Sequence, residues 1–137
     1  KVKGRKVELE ELLAQSDVVT LNLPHNEETD GLFNYDMLKK MKKGSILVNT
    51  ARGGVVVQND LAKLIEEDWF YGVGLDVTVD EPIQPDNPFL KMEKVTLTGH
   101  FASGTSEFFE RAARWILEDH QRVAKGEKPR FARNSIS

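Results

Sequence analysis

The sequence predicts an α/β protein built on a parallel β-sheet. Short apolar segments alternate with helical patterns along most of the 137 residues. The apolar segments are nearly continuous, which is typical of strands that are buried on both faces of a parallel sheet. Small or polar residues follow each segment, at the strand ends where ligands bind in such sheets. These three observations together favour a ligand-binding α/β fold.

The predicted strands are short and end at residues that are unsuited to a strand. In the first of them, apolar residues at 18, 19, 21 and 23 precede Pro24, which has no N–H to continue a ladder. The third contains two glycines and the fourth ends in TGH. In chain order the four predicted strands are DVVTLNLP (17–24), ILVNTA (46–51), YGVGLDV (71–77) and KVTLTGH (94–100).

Helical spacing of apolar residues predicts the intervening elements. In chain order the predicted helices cover residues 7–16, 35–43, 59–69 and 105–125. Asn34 is an N-cap candidate for the second helix, and Gly44 would end it. The fourth helix has one broad apolar stripe and ends at Gly126, after which KPRFARNSIS is a polar tail.

Composition restricts the possible functions. The net charge is −3, so charge alone does not attract the chain to nucleic acid or to an anionic membrane. No apolar run reaches the length of a membrane span, and the first residues are not typical of a signal peptide. The absence of cysteine excludes disulfides, thiolate metal sites and cysteine nucleophiles. We therefore expect a cytoplasmic protein without metal, membrane or nucleic-acid partners.

Chemistry-bearing residues follow successive predicted strands. Arg52 follows the second strand, Asp76 the third, with Glu81 five residues later, and His100 ends the fourth. Because the carboxyl ends of parallel strands meet at one edge of a sheet, these side chains are expected to converge. Taken singly, Arg52 could be a surface arginine, Asp76 a turn cap and Glu81 a solvated loop acid. His25 and His120 are interpreted as surface histidines. A weaker alternative interpretation makes His25 a loop residue near an adenosine.

The motifs NTARGG, LDVTVDEP and LTGHFASGT, in this order, resemble the second half of the coenzyme domain of the D-isomer-specific 2-hydroxyacid dehydrogenases. That family includes glyoxylate/hydroxypyruvate reductases, D-lactate and D-glycerate dehydrogenases, and D-3-phosphoglycerate dehydrogenase. The resemblance runs from the predicted first helix to the KGEKP segment. It implies a Rossmann-type sheet and an oxidoreductase that transfers a hydride between NAD(P)H and a small 2-oxo acid.

The resemblance gives each strand-end residue a role. Arg52 matches the arginine that holds the substrate carboxylate and polarises the keto oxygen, which suits a permanently charged, forked donor. His100 matches the acid/base that protonates the carbonyl oxygen during reduction. Glu81 matches the carboxylate that orients the histidine ring and favours the imidazolium. Asp76 matches the aspartate near the nicotinamide carboxamide.

The resemblance also identifies the cofactor side of the site. The implied cofactor-binding residues are Leu23, Pro24, Thr50, Ala51, Arg52, Asp76 and His100. Ala51 and the glycines that follow Arg52 are expected to leave room for nicotinamide and substrate at the backbone. NAD is the implied cofactor, and NADP remains open because the deciding residue after the family's second strand has no counterpart here. Formate dehydrogenase has glutamine where Glu81 stands, which argues against formate.

Two departures from the family pattern matter. Gly99 stands where the family usually has proline, so the approach to His100 is less restricted. The sequence contains no G-x-G-x-x-G turn, which in this family seats the pyrophosphate at a helix N-terminus.

These departures predict an incomplete Rossmann-type sheet, the C-terminal portion of a longer subunit without the first βαβ unit and the substrate domain. The predicted domains are residues 1–104, a partial dinucleotide-binding domain, and residues 105–137, a C-terminal helix and tail that would pack toward the substrate domain. In the 3-2-1-4-5-6 order, DVVTLNLP is assigned to the third strand and SILVNTA to the fourth, so two missing strands are expected between them. Direct pairing of these two segments would be a rearranged fold.

Two other functions stay open from the sequence. A non-catalytic, dinucleotide-sensing corepressor relative of the same fold could retain Arg52, Glu81 and His100 together. A structural α/β domain that binds no nucleotide is the third possibility. For the oxidoreductase, the resemblance implies a homodimer whose partner is a small 2-oxo acid of the glyoxylate, hydroxypyruvate, lactate or phosphoglycerate class.

Overall fold

A computed structural model describes residues 4–130, and its centre is a four-stranded parallel sheet. The strands lie in sequence order, β1-β2-β3-β4, and each pairs with the next. Their bounds are β1 Val18–Leu21, β2 Ile46–Asn49, β3 Gly72–Leu75 and β4 Val95–Leu97. Because every pair is parallel, all four carboxyl ends open onto the same edge.

The described residues form four α-helices: α1 Leu9–Gln15, α2 Tyr35–Lys39, α3 Gln58–Glu66 and α4 Ser106–Ala124. The predicted Asn34 cap of α2 and the predicted end of α4 at Gly126 are confirmed, and the structure adds an N-cap at Thr105. Asn34 accepts the Met37 N–H through its side chain, Thr105 accepts that of Phe108, and Gly126 takes a left-handed φ of 77° after α4. In the described part of the chain, no helix combines the length and the apolar character that a membrane crossing needs.

The structure corrects the extent of several elements. α2 ends at Lys39 rather than Lys43, because the N–H groups of Lys40 and Met41 bond three residues back and tighten the chain into a turn. Two 3₁₀ turns, Gly53–Val55 and Pro88–Lys91, were not predicted. The strands are each shorter than their apolar runs, since pairing stops before the residues at the carboxyl edge.

The core lies on one face of the sheet. Val19 and Leu21 of β1 are buried with Leu47 and Val73 of the neighbouring strands, and Leu13, Leu38 and several residues of α3 join the same cluster. Alternate residues on the other face are more open, and Val18 is 57% exposed. The expectation of a sheet covered on both faces was therefore wrong for the described residues. The continuous apolar runs suggested burial on both faces. Successive side chains of a strand point to opposite faces, and only one of these faces is buried in the described residues.

The expected gap between the first two strands is also absent. Val18 pairs with Ile46 and Leu21 with Asn49 in an unbroken parallel register. The assignment of DVVTLNLP to the third position was wrong, because a third strand in the 3-2-1-4-5-6 order would not neighbour the fourth. In that order consecutive strands are neighbours from the fourth strand onward, so β1, β2 and β3 fit the fourth to sixth positions and β4 extends the sheet by one strand. In that arrangement the edge free for further strands is that of β1.

The chain divides into two compact units after Phe101. The first unit contains the sheet, α1, α2 and α3. The second contains α4, whose described residues include none that is buried, and the first residues of the predicted polar tail. The part of that tail from residue 131 onward lies outside the described residues.

Candidate active site

The site is built from the loops that follow the strands at the carboxyl edge of the sheet. Asn49, the last residue of β2, is 1% exposed and organises the loop after it. Its Oδ1 accepts the Ala51 N–H at 3.0 Å and its Nδ2 donates to the Arg52 carbonyl at 3.0 Å. A buried amide that satisfies both neighbours fixes where the chain leaves the strand. The backbone of Arg52 is thereby held in a fixed position directly after the carboxyl end of β2.

Residues 52–55, which we call the glycine turn, pass between two other loops. A Cβ built on Gly53 would lie 2.1 Å from the Thr78 carbonyl, and one on Gly54 would lie 2.4 Å from Cε1 of His25. The space that these glycines leave is therefore filled by protein. The expectation that they leave it for nicotinamide and substrate was wrong on this side of the backbone. The glycines allow three loops to pack closely.

The Arg52 side chain is exposed at this edge. One N–H of its guanidinium donates to the Ala51 carbonyl at 2.6 Å. Among the described residues no other hydrogen bond of this group is found, so its remaining donors are available to a ligand. Its charge also lowers the pKa of Glu81, although less than other contacts do. A guanidinium with unused donors, close to a carboxylate–imidazole pair, can bind an anion.

Glu81 and His100 are brought together as the sequence predicted. Nδ1 of His100 lies 2.7 Å from Oε2 of Glu81, and both side chains are a little less than half exposed. The hydrogen bond from His100 is the main cause that lowers the pKa of Glu81. Burial opposes it and a bond from the Thr78 N–H at 3.3 Å reinforces it. An ionised carboxylate only accepts hydrogen bonds, so Nδ1 carries the proton and Nε2 is the nitrogen left for proton exchange.

Asp76 holds the backbone that presents His100. Its side chain is 5% exposed, and Oδ1 accepts the Phe101 N–H at 2.8 Å and the Thr98 hydroxyl. Its main-chain carbonyl accepts the His100 N–H at 2.8 Å. His100 has a φ of 58°, a conformation that costs a non-glycine residue about 1–2 kcal/mol. Asp76 therefore holds both flanks of a strained residue.

A cavity of about 350 Å³ lies beside the pair. Glu81 and His100 line it together with Pro82, Ile83 and Leu97, so polar groups meet an apolar wall. This volume is within the range, roughly 300–1,000 Å³, in which proteins bind small molecules. The described residues contain no group of three or more histidine, aspartate or glutamate side chains that could hold a metal ion.

The predicted cofactor-lining residues lie on the loops of the same edge. Leu23 and Pro24 follow β1, and Thr50 and Ala51 follow β2. Pro24 and Thr50 are exposed, Leu23 is half-buried and Ala51 is 8% exposed. Leu23, Pro24 and Ala51 are apolar, and Thr50 adds a hydroxyl group. The pyrophosphate has no comparable seat, since no G-x-G-x-x-G turn occurs in the sequence.

Sequence reasoning missed the residues that support this edge. Asn49 organises the glycine turn, Thr78 and Thr98 bond to Glu81 and Asp76, and Asp30 pairs with His25. The role of Asn49 could have been predicted from its place as a polar residue at the end of the apolar strand ILVN. The other partners are brought close only by the fold. His25 is exposed, as the interpretation as a surface histidine implied, and its ring also packs on Gly54, a contact that was not predicted.

Comparison with known proteins gives one consistent family. The family model described as D-isomer specific 2-hydroxyacid dehydrogenase, NAD binding domain, matches residues 1–102. Glyoxylate reductase of Korarchaeum cryptofilum is 46% identical over 123 residues, 90% of this chain and 37% of the relative. Formate dehydrogenase of Neurospora crassa is 51% identical over 84 residues, 61% of this chain and 22% of the relative.

Among solved structures, the apo form of D-mandelate dehydrogenase from Rhodotorula graminis superposes with a TM-score of 0.86 at 31% identity. The match covers 97% of this chain and 39% of that one. The chain thus spans less than half the length of the relatives it matches.

Proposed function

We propose, since the chain belongs to the D-isomer-specific 2-hydroxyacid dehydrogenase family, that it carries the acid/base and the substrate-anion group of an oxidoreductase acting on small 2-oxo acids. The observation that carries the proposal is the bond between Glu81 and Nδ1 of His100, beside the exposed Arg52 guanidinium, at the carboxyl edge of a parallel sheet. The reaction is the reversible reduction of a 2-oxo acid to a D-2-hydroxy acid.

The proton is handled by His100. With Nδ1 bonded to Glu81, the imidazolium donates its Nε2 proton to the carbonyl oxygen during reduction. In the reverse direction the neutral ring accepts the hydroxyl proton at the same nitrogen. Glu81 keeps the ring in one orientation and one tautomer, so that no reorientation is needed between the two directions.

The substrate anion is held by Arg52. A 2-oxo acid carries its carboxylate next to the reacting carbonyl, and a guanidinium offers parallel donors that can span both groups. The donors of Arg52 that make no bond within the described residues support this role. The glycine turn fixes the backbone from which Arg52 extends.

NADH or NADPH, when bound, would supply the hydride for reduction, and the oxidised cofactor would accept it in the reverse direction. Leu23, Pro24, Thr50 and Ala51 would lie along the nicotinamide side of that cofactor, with Asp76 at the base of the site. The burial of Asp76, and its bonds to Thr98 and Phe101, support a role in shaping this base. The exposure of Pro24 and Thr50 at this edge supports contact with the nicotinamide half of the cofactor. The 137-residue sequence contains no G-x-G-x-x-G turn for the pyrophosphate.

The test is oxidation of NADH and NADPH by the purified product of the native gene, with glyoxylate, hydroxypyruvate, pyruvate and phosphohydroxypyruvate as acceptors. Oxidation of formate with NAD is the contrasting arm, because a formate dehydrogenase is among the similar proteins, whereas this chain has Glu81 at the position where the resemblance gives formate dehydrogenase a glutamine. We expect turnover with at least one 2-oxo acid and none with formate. Turnover with formate alone would contradict the proposed substrate class, and failure of every arm would contradict the activity.

His100→Ala tests the acid/base directly. Loss of a positioned acid/base is expected to lower kcat by about 10²–10⁴-fold, with little change in the affinity for NADH. His120→Ala is the matched control, since His120 is an exposed histidine of α4 in the other unit. Equal activity of the two variants would remove His100 from the mechanism.

Arg52→Lys tests the anion site. An ammonium keeps the charge but lacks the fork, so we expect the KM for the 2-oxo acid to rise more than kcat falls. Lys91→Arg is a suitable control, since it changes an exposed cation of the same unit without touching the sheet edge. An unchanged KM in Arg52→Lys would show that Arg52 does not contact substrate.

The working form of the protein is part of the same proposal. The family resemblance supports a cytoplasmic homodimer, and the net charge of −3 supports an absence of nucleic-acid or anionic-membrane partners. Residues 1–104 would belong to the cofactor domain, and residues 105–137 would pack toward a substrate domain. Sedimentation of the native gene product measures the subunit number.

A further inference from the structure

A second histidine–carboxylate pair lies at the carboxyl edge of the sheet, in the loop after β1. Nε2 of His25 is 2.7 Å from Oδ1 of Asp30. The ring of His25 occupies the place of a side chain on Gly54: a Cβ there would be 2.4 Å from Cε1 and 2.6 Å from Nε2. No role is given to this pair by the chemistry proposed above.

The loop that carries His25 is internally fixed. The Thr29 hydroxyl donates to the Pro24 carbonyl at 2.7 Å, and Asn26 accepts the N–H of Thr29 through its side chain at 3.1 Å. The Asp30 N–H donates to the Asn26 carbonyl at 2.9 Å. Asp30 is therefore anchored by its own backbone, and it can hold the His25 ring in one place although 70% of its side chain is exposed.

The glycine turn is confined on both sides. On one side Gly53 lies against the backbone of Thr78, which cannot move without shifting the loop that carries Glu81. On the other side Gly54 lies against the His25 ring. The Gly54 carbonyl also accepts the Gly31 N–H at 2.9 Å, so the two loops are joined in two ways. Among the nearest contacts given by the described residues to these two glycines, those at Gly53 are backbone atoms and those at Gly54 belong to the His25 ring.

We propose that His25 is a positioning residue that holds the glycine turn, and through it Arg52, in the geometry that binds the substrate carboxylate. The inference rests on the proposed function of Arg52. His25 does not contact substrate in this account; it fills the space beside Gly54 and keeps the turn pressed against the Thr78 loop. Asp30 keeps the ring in that space.

The first experiment uses the native gene product and its His25→Ala variant. Removing the ring frees the glycine turn, and a misplacement of a reacting group by about 1 Å can lower catalytic efficiency by up to roughly 10²-fold. We expect this effect to be a rise in the KM for the 2-oxo acid, with kcat and the KM for NADH close to wild type. His25→Gln, whose amide can still donate to Asp30, should recover most of the loss. His120→Ala is the control for removal of an exposed histidine.

A double-mutant cycle tests the contact itself. Gly54→Ala alone should raise the KM for the 2-oxo acid and lower the unfolding midpoint, because its Cβ meets the His25 ring. In His25→Ala/Gly54→Ala the methyl group enters the space that the ring vacates. The double variant should therefore be less impaired than the product of the two single changes.

Three results would overturn the proposal. The first is an unchanged KM for the 2-oxo acid in His25→Ala. The second is a rise in the KM for NADH in its place, which would make His25 a cofactor contact. The third is a double-mutant cycle in which the effects of the two substitutions are simply additive. If the wild-type protein reduces no 2-oxo acid, the proposed function has failed. The unfolding midpoints of the same four proteins then still decide the contact, and additive midpoints would refute it.

Discussion

A carboxylate and an imidazole that are both half exposed can matter more for geometry than for stability. Glu81 and His100 are 2.7 Å apart, but solvent screens much of their attraction, and exposed pairs of this kind contribute about 1 kcal/mol or less. The fixed tautomer does not depend on that energy. It depends on Glu81 being ionised, which its lowered pKa ensures near neutral pH.

This reasoning predicts a pH-dependent contribution of Glu81 to stability. Its pKa in the folded protein is below the ordinary value of 4.5, so the stabilisation is fully present above that value. It is lost as the pH falls through the lower, folded value. The unfolding free energy of the wild type should therefore exceed that of Glu81→Gln by at most about 1 kcal/mol at neutral pH. The difference should shrink in acid.

Urea denaturation of the two proteins across this pH range measures the difference. Glu93→Gln is the matched control, since Glu93 is exposed and makes no hydrogen bond or ion pair within the described residues. A difference that stays constant well below 4.5 would show that the contribution of residue 81 does not come from its ionised carboxylate.

At the scale of elements, the segment after β4 combines strain with anchoring. His100 takes a left-handed φ, and the residue before it is glycine where the family usually has proline. The Asp76 side chain and carbonyl bind the segment at Thr98, His100 and Phe101. The anchoring from Asp76 thus replaces part of the restriction that proline would give.

Gly99→Pro should therefore be tolerated and mildly stabilising. A Cβ at Gly99 meets no atom within 4 Å, its φ is not left-handed, and its N–H makes no hydrogen bond in the described part of the chain. Proline at such a position is expected to add about 0.4–1 kcal/mol by restricting the unfolded chain. Turnover should be equal or higher, since the approach to His100 becomes stiffer.

Thermal unfolding and kcat of Gly99→Pro, measured beside Gly99→Ala, check this expectation. Alanine adds the same first carbon without locking φ, so its effect should be smaller. A clear loss of stability in the proline variant alone would mean that the native φ at residue 99 is incompatible with proline, and that this chain uses glycine for its conformation.

The elements also show what the sequence could and could not predict. Strand positions, the Asn34 cap and the convergence of Glu81 with His100 follow from local pattern and from parallel topology. The neighbour of β1 could not be read from its apolar residues, since they do not encode which strand lies beside them. The packing of His25 on Gly54 depends on two loops 29 residues apart in sequence, and no local signal specifies it.

At the scale of the whole molecule, the described residues leave apolar surface open. Val18 is 57% exposed on the uncovered side of the sheet, and α4 presents Phe109, Ile116 and Leu117, each about 60% exposed. Exposed apolar groups in such numbers are associated with interaction surfaces or with aggregation. The unpaired edge of β1 adds backbone donors and acceptors that another strand could pair.

The 137-residue chain, purified alone, is therefore expected to self-associate and to bind NADH too weakly to measure. Self-association follows from the open face, the β1 edge and the apolar side of α4. Weak binding follows from the missing G-x-G-x-x-G turn, because nicotinamide-side contacts would have to act without the helix N-terminus that binds the pyrophosphate.

Sedimentation, thermal unfolding and an NADH titration followed by nicotinamide fluorescence measure the three properties on one preparation. A curated relative of full length is the positive control for the titration.

Because the structure shows β1 paired directly with β2, the sheet itself has no internal gap that would prevent folding. Self-association together with a cooperative unfolding transition would therefore show that the exposed apolar surfaces, and not an incomplete sheet, cause the association. A monomer that binds NADH in the micromolar range would contradict both expectations, and would mean that residues 1–137 contain a pyrophosphate seat of another kind.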